Sequence, residues 1–286
     1  TQDPGFERAV AGGVTTLQIL PGSGNLIGGR GVVMHAIPTL GSRAMRLQGA
    51  PETVKMACGE NPKRVYGNKG GPKTRMGNIA IQRQTFLKAK AYKARWDKFE
   101  EKNSSQALFS RKNDHALEPE RDLGMETLVG VLEGRILPQI HCYRSDDMLA
   151  MLQLSKEMGF QIRSFHHALE AYKIRDILAD ENISVSTWAD WWGFKHEAYD
   201  GIRQNLALVE TAGARAIVHS DSSIGIQRLN QEAAKALAAG REVGIEISDE
   251  AALAWITSNP AWALGIDDQV GSLDVGKRAD LVVWDG

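Results

Sequence analysis

From residue 135 onward the apolar positions fall into one recurring pair, a short β-rich run followed by an amphipathic run of helical period, and the pair occurs four times. Residues 135–143 form the first strand and 146–159 its helix, where Met148, Met151, Leu152 and Ser155 share one face and Gly159 supplies the stop. Residues 161–168 and a helix over 170–180 make the second pair. The third is a strand at 183–190 with a helix at 199–212, and the fourth a strand at 214–221 with a helix at 227–240. Strands alternating with helices predict a parallel sheet, whose right-handed crossovers either close it into a barrel or leave it open and doubly wound.

Upstream, residues 14–20, 30–37 and 53–59 read as further strands, so at least six are countable, and 6–12 reads as the tail of a helix. Residues 61–124 form a polar insertion holding a long helix near 79–102. There Ile81, Ala89, Tyr92, Trp96 and Phe99 recur at helical spacing, which assigns the lysines to a solvated opposite face rather than to a nucleic-acid surface. Residues 103–122 are expected to be an exposed, mobile loop. Ser248, Asp249 and Glu250 start another helix, Asn259-Pro260 a last short one ending at Leu264-Gly265, and residues 279–285 read as a strand of a small satellite sheet.

Composition narrows the picture. With 286 residues, 43% hydrophobic and 24% charged, the chain can bury one sizeable core. Lys and Arg number 34 against 35 Asp and Glu, and a net charge of -1 offers no field to gather nucleic acid or anionic lipid, so a small-molecule substrate is expected. No apolar run is long enough to span a membrane. The two cysteines, Cys58 and Cys142, each lie in an apolar stretch and are expected to be buried free thiols in a reducing, cytoplasmic setting. The start at Thr1 reads as cut, because a helix tail leads directly into a strand.

Active sites of parallel α/β folds gather at the carboxyl ends of the strands. His141, the pair His166 and His167, Asp190, and the run His219-Ser220-Asp221 all fall there. Two neutral imidazoles and a carboxylate suit zinc or another borderline divalent ion. Asp221 is then a ligand and also the general base, taking a proton from water and delivering it to a leaving nitrogen. Strand alternation sends only one of His166 and His167 inward, and His167 is taken as the ligand. Glu60, where a strand ends, is a candidate bridging ligand; Lys55 could serve only if carbamylated. Tyr143 and His219 are expected substrate contacts. The glycine-rich residues 21–31 lack the Lys-Ser/Thr ending of a nucleotide loop and read as a tight loop on the rim. Trp188, Trp191, Trp192 and Phe194 read as core, although their place beside Asp190 allows a substrate wall.

These residues resemble the amidohydrolase superfamily, particularly its imidazolonepropionase-like and prolidase-like branch. The matching motifs are Gly12-Gly13-Val14-Thr15-Thr16, Gly59-Glu60-Asn61-Pro62-Lys63, the His141 strand, His167 with Glu170-Ala171-Tyr172-Lys173, His219-Ser220-Asp221, and Gly271-Ser272-Leu273-Asp274-Val275-Gly276-Lys277-Arg278-Ala279-Asp280-Leu281. The resemblance implies a (β/α)8 TIM-type barrel over residues 1–265, incomplete at its N-terminus, with residues 266–286 contributing to a small β-sandwich. It also implies His141 and His167 as ligands from the fifth and sixth strands, Asp221 as ligand and base after the eighth, and Glu60 or Lys55 as the bridge. The His-x-His pair of the family's first strand does not occur, so a fragment is expected. The activity implied is metal-dependent hydrolysis of a carbon–nitrogen bond in a cyclic amide, N-acyl amino acid or dipeptide, with one or two ions, zinc foremost. A deaminase and a non-catalytic binding barrel are the alternatives. Homo-oligomer formation is compatible with the sequence.

Overall fold

Five strands in this chain run the same way because each is followed by a helix long enough to carry it back. The computed structural model describes residues 3–37, 39, 41–108 and 117–284. Helix α1 (Pro4–Ala11) opens with Asp3, whose carboxylate accepts the Gly5 N–H at 2.7 Å, and with proline in its first turn. Strands β1 (Thr16–Ile19) and β2 (Ile27–His35) follow, then α2 (Ser42–Met45), β3 (Glu52–Ala57), α3 (Glu60–Tyr66), α4 (Arg75–Leu108) and α5 (Leu123–Leu132). Four repeated units succeed them: β4 (Ile136–Cys142) with α6 (Ser145–Met158), β5 (Ser164–His167) with α7 (Arg175–Asp180), β6 (Ser184–Thr187) with α8 (Asn205–Thr211), and β7 (Ala216–Val218) with α9 (Leu229–Glu242). Helices α10 (Asp249–Ala254) and α11 (Ser258–Leu264) complete the order.

The strands form one curled, half-barrel sheet in the order β1 to β7. Strands β3 to β7 pair in parallel, as the alternation predicts. Strands β1 and β2 do not: β1 pairs antiparallel with β2, and β2 with β3. The seven residues between β1 and β2 are fewer than the dozen or so a parallel crossover needs, so the chain can only turn back. The second half of the glycine-rich segment is correspondingly strand rather than rim loop. At Gly31 any Cβ would meet Leu20 and the Thr53 hydroxyl at 2.5 and 2.6 Å, which explains glycine inside a strand.

The helices bury their apolar faces against the parallel strands. Met148, Met151 and Leu154 of α6 join Ile140, Phe165 and Val185 in the main core, each fully buried, and each such side chain contributes about 1.5–3 kcal/mol. From α4, Phe86 and Ala89 enter the same core, with Phe86 stacked on Phe160 at 4.5 Å. Helix α4 runs further than the periodicity implied, through residues 103–108, which were expected to begin a loop; residues 109–116 of that loop lie outside the described residues. Residues 281–284 form no strand, contrary to expectation. The run Leu281-Val282-Val283-Trp284 finds no backbone partner among the described residues; Val282 and Trp284 lie against Gly13, while Val283 stays exposed.

The expectation of free thiols is also corrected, because Cys58 and Cys142 are joined in a disulfide. The parallel register sets Ala57 opposite His141, so the next residue on each strand faces the other with Cα atoms 5.3 Å apart, within bridging range. The argument from cysteines to a reducing compartment falls with it. Among the described residues no helix is long and apolar enough to cross a membrane.

Candidate metal and substrate site

The same register that pairs the cysteines levels the polar residues at the strand ends. Ala57 stands opposite His141, His141 opposite His166, and Cys142 opposite His167, while β7 leads into His219 and Asp221. The ring centroids lie 4.5 Å apart for His141 and His167, 5.1 Å for His167 and His219, and 6.2 Å for His166 and His219. Lys55, on the last turn of β3's pleat, is 5% exposed. With His166, His167, His219 and Asp221 it lines a cavity of about 620 Å³.

Burial dominates the electrostatics here. It holds His141, His166 and His167 well below the usual imidazole range and His219 down at about 3, with the Lys55 charge adding to the effect on all four. These rings are therefore neutral at physiological pH, the form that donates an electron pair to a cation. His141 Nδ1, His167 Nδ1 and His219 Nε2 are buried without a hydrogen-bond partner. Burial lowers the Lys55 ammonium, opposed by Asp221. Asp221 has an exposed residue surface, yet the protein around its carboxyl still raises its pKa, against the pull of Lys55.

The alternation argument about His166 and His167 does not survive. His167 has φ +71° and Ala168 φ +35°, so the backbone leaves the extended region at the strand's last residue and the two-face rule ends there. Both imidazoles line the cavity. His166 Nε2 is 2.7 Å from Gln139 Oε1, whose amide donates to the Ala263 carbonyl, so His166 is the ring already engaged by protein.

Glu60 sits in the first turn of α3, past the strand end, and its N–H donates to Glu197 Oε2 at 2.7 Å. Lys55 lines the cavity with His166, His167, His219 and Asp221, whereas Glu60 is not among its described lining residues. Tyr143 stacks on His167 at 5.1 Å and meets His141 edge-on at 5.0 Å. Its phenol is pushed up by burial and by Glu197, Asp221 and Glu60. Trp188 lies 4.7 Å from His167, its indole N–H bound to the Ser220 carbonyl, so it belongs to the wall of the site. Asp190 turns outward to Lys235.

A second tier went unread in the sequence. Asn61 Nδ2 is 3.3 Å from His141 Nε2 and Lys195 Nζ 3.1 Å from Asn61 Oδ1, while Lys195 also bonds Glu197 Oε1 at 2.7 Å. Arg75 pairs with Asp147 at 3.1 Å beside them. Lys195 and Glu197 follow an aromatic run with no motif of their own, and contacts across 134 and 137 residues leave no local signal.

Residues 167–286 match the model of the amidohydrolase family. An amidohydrolase from Thermotoga maritima MSB8, known from its crystal structure, superposes with a TM-score of 0.83 at 34% identity, covering 97% of this chain and 68% of that one. The chain belongs to the amidohydrolase family. It is also 36% identical to the amidohydrolase tasK of Hapsidospora irregularis over 99% of its own length but only 29% of that protein's. A 39-residue stretch is 56% identical to the imidazolonepropionase of Shewanella sp. (strain ANA-3), covering 14% of this chain and 10% of that protein.

Amidohydrolases are generally metal-dependent. Among the described residues no three His, Cys, Asp or Glu side chains are gathered closely enough to hold an ion. The donor chemistry nevertheless fits one: buried, neutral imidazoles with unclaimed nitrogens beside a carboxylate and a depressed lysine.

Proposed function

We propose that this chain belongs to a metal-dependent hydrolase that cleaves a carbon–nitrogen bond in a small molecule, a cyclic amide, N-acyl amino acid or dipeptide. The observation that supports it most is the set of unpartnered nitrogens on His167 and His219, which line one cavity with Lys55 and Asp221, and on His141, whose ring lies 4.5 Å from that of His167. In this reading the five parallel strands β3 to β7 belong to a (β/α)8 barrel, and residues 266–286 contribute to an accompanying β-sandwich.

His141, His167 and Asp221 would hold a divalent ion, zinc foremost, with Lys55 in carbamylated form favoured over Glu60 as the bridge because Lys55 lines the cavity with His167, His219 and Asp221. Such an ion supplies a Lewis acid for the carbonyl oxygen and makes a bound water acidic. Asp221 takes the proton that water loses and returns it to the leaving nitrogen, a role that suits a carboxyl whose pKa burial has raised. Tyr143 and His219 line the substrate, and Trp188 keeps bulk water from the imidazoles.

Plasma mass spectrometry on the full-length protein tests this reading, alongside its His141→Ala and Asp221→Asn variants. Near-stoichiometric zinc, iron or manganese, lost on His141→Ala, together with turnover in an amide and dipeptide screen, is the expected result. A parent that holds no metal even after reconstitution overturns it.

A further inference from the structure

The hydrolytic reading leaves one charged group at the site unused. Lys195, on the loop after β6, places its ammonium 4.0 Å from the centroid of the Tyr143 ring, and that ring stacks on His167. The side chain is 19% exposed, so the charge is largely withdrawn from bulk water. Its position is set by two acceptors, Glu197 Oε1 at 2.7 Å and Asn61 Oδ1 at 3.1 Å. An ammonium has three N–H groups, so one remains for a ligand.

Glu197 does not simply cancel this charge. Its other oxygen accepts the Glu60 N–H at 2.7 Å and lies 3.8 Å from Arg75, so the carboxylate is anchored on the side away from Lys195. That arrangement holds a long, flexible side chain in one place, which costs rotamer entropy and is useful where a point charge must be pre-positioned.

Beside the ammonium stands an aromatic wall whose outer half is open. Trp191 is 50% and Phe194 44% exposed. Their rings lie 5.0 Å apart, Trp191 is 4.8 Å from the buried Trp188, and Phe194 is 6.1 Å from Tyr143. Exposed rings continuous with a buried cluster, next to a fixed cation and the imidazoles, make a surface with one apolar and one cationic half.

We propose that Lys195 binds a carboxylate of the substrate while Trp188, Trp191 and Phe194 receive an adjacent apolar or aromatic group. This rests on the hydrolytic reading and narrows it: preferred substrates are N-acyl amino acids or dipeptides with a free carboxylate and a large apolar side chain, not neutral cyclic amides. Glu197 and Asn61 act as positioning residues for the ammonium.

The test compares N-acetyl-phenylalanine with N-acetyl-phenylalanine amide, in which the carboxylate alone is removed, on the full-length protein and its Lys195→Met and Lys195→Arg variants. Calorimetry reads binding without turnover, and steady-state kinetics reads KM and kcat separately. The parent is expected to bind the carboxylate form about tenfold or more tightly than the amide, the scale of one charge-assisted hydrogen bond. Lys195→Met removes that preference through KM with kcat little changed, Lys195→Arg restores part of it, and N-acetyl-alanine binds more weakly than the phenylalanine ligand. Equal binding of the two ligands by the parent overturns the inference without any variant. So does a preference that survives Lys195→Met, or an equal loss on both ligands, which makes Lys195 a loop latch only. A parent that prefers the carboxylate yet hydrolyses no amide refutes the hydrolase and keeps the subsite; turnover without the preference does the reverse.

Discussion

The carboxylate of Glu197 accepts the backbone N–H of Glu60 at 2.7 Å, joining residues 137 apart in the chain. It fastens the loop after β6 over the turn between β3 and α3, where Gly59 has φ +77°. A Cβ at Gly59 would overlap this carboxylate in a backbone conformation that side chains rarely adopt. Gly59→Ala is expected to lower unfolding free energy by about 1–3 kcal/mol, and Glu197→Ala by about 2–4 kcal/mol through loss of a buried charged partner. Denaturant unfolding measures both. Unchanged midpoints would mean the loop is not held by this contact.

Asp147 supplies a pH dependence. Burial raises its carboxyl to about 6, with Arg75 pulling the other way. The folded protein therefore holds a proton there that the unfolded chain releases nearer the usual carboxylate value. The contribution to stability is fullest below that usual value and is lost as pH rises through about 6. The unfolding free energy of the parent minus that of Asp147→Asn should fall between about pH 4 and about pH 6.5 and level off above. A difference that grows over that window would show that Arg75 outweighs burial.

The Cys58–Cys142 bond closes a loop across 84 residues of sequence, so it constrains the unfolded chain strongly. Replacing both cysteines by alanine should lower unfolding free energy by about 2–4 kcal/mol. Alkylation of the denatured but unreduced protein should add no mass at either cysteine; modification of both would dispose of the bond.

Lys55 and Glu60 are separable by metal content. Lys55 lines the cavity with His166, His167, His219 and Asp221, whereas Glu60 is not among its described lining residues. On the proposed metal-dependent reading, Lys55→Met is expected to lose most of the ion and Glu60→Gln to keep it. The opposite pattern would return the bridging role to Glu60.

Much of this was written in local pattern. The four strand–helix pairs after residue 135 follow from alternating periodicity, and parallel strands set residues at their carboxyl ends side by side, which is why His141, His167, His219 and Asp221 were readable as a group. Helix starts such as Ser248, whose hydroxyl accepts the Ala251 N–H at 3.1 Å, were legible because caps are local.

What lay beyond the sequence depended on register and on backbone angles. The disulfide exists because β3 and β4 pair in one register among several the residues would permit. Both His166 and His167 reach the cavity because two consecutive residues of positive φ, His167 and Ala168, break the pleat, and no periodicity announces that. The strand expected at residues 279–285 required a neighbour for its hydrogen bonds, which no apolar run can supply by itself. Lys195, Glu197 and Asn61 meet only after the sheet has curled. The sequence by itself determined which residue types stand at each strand end, because periodicity and caps act over a few residues. The tertiary structure decided which of them touch, because contacts between residues more than a hundred positions apart depend on how every intervening element packs.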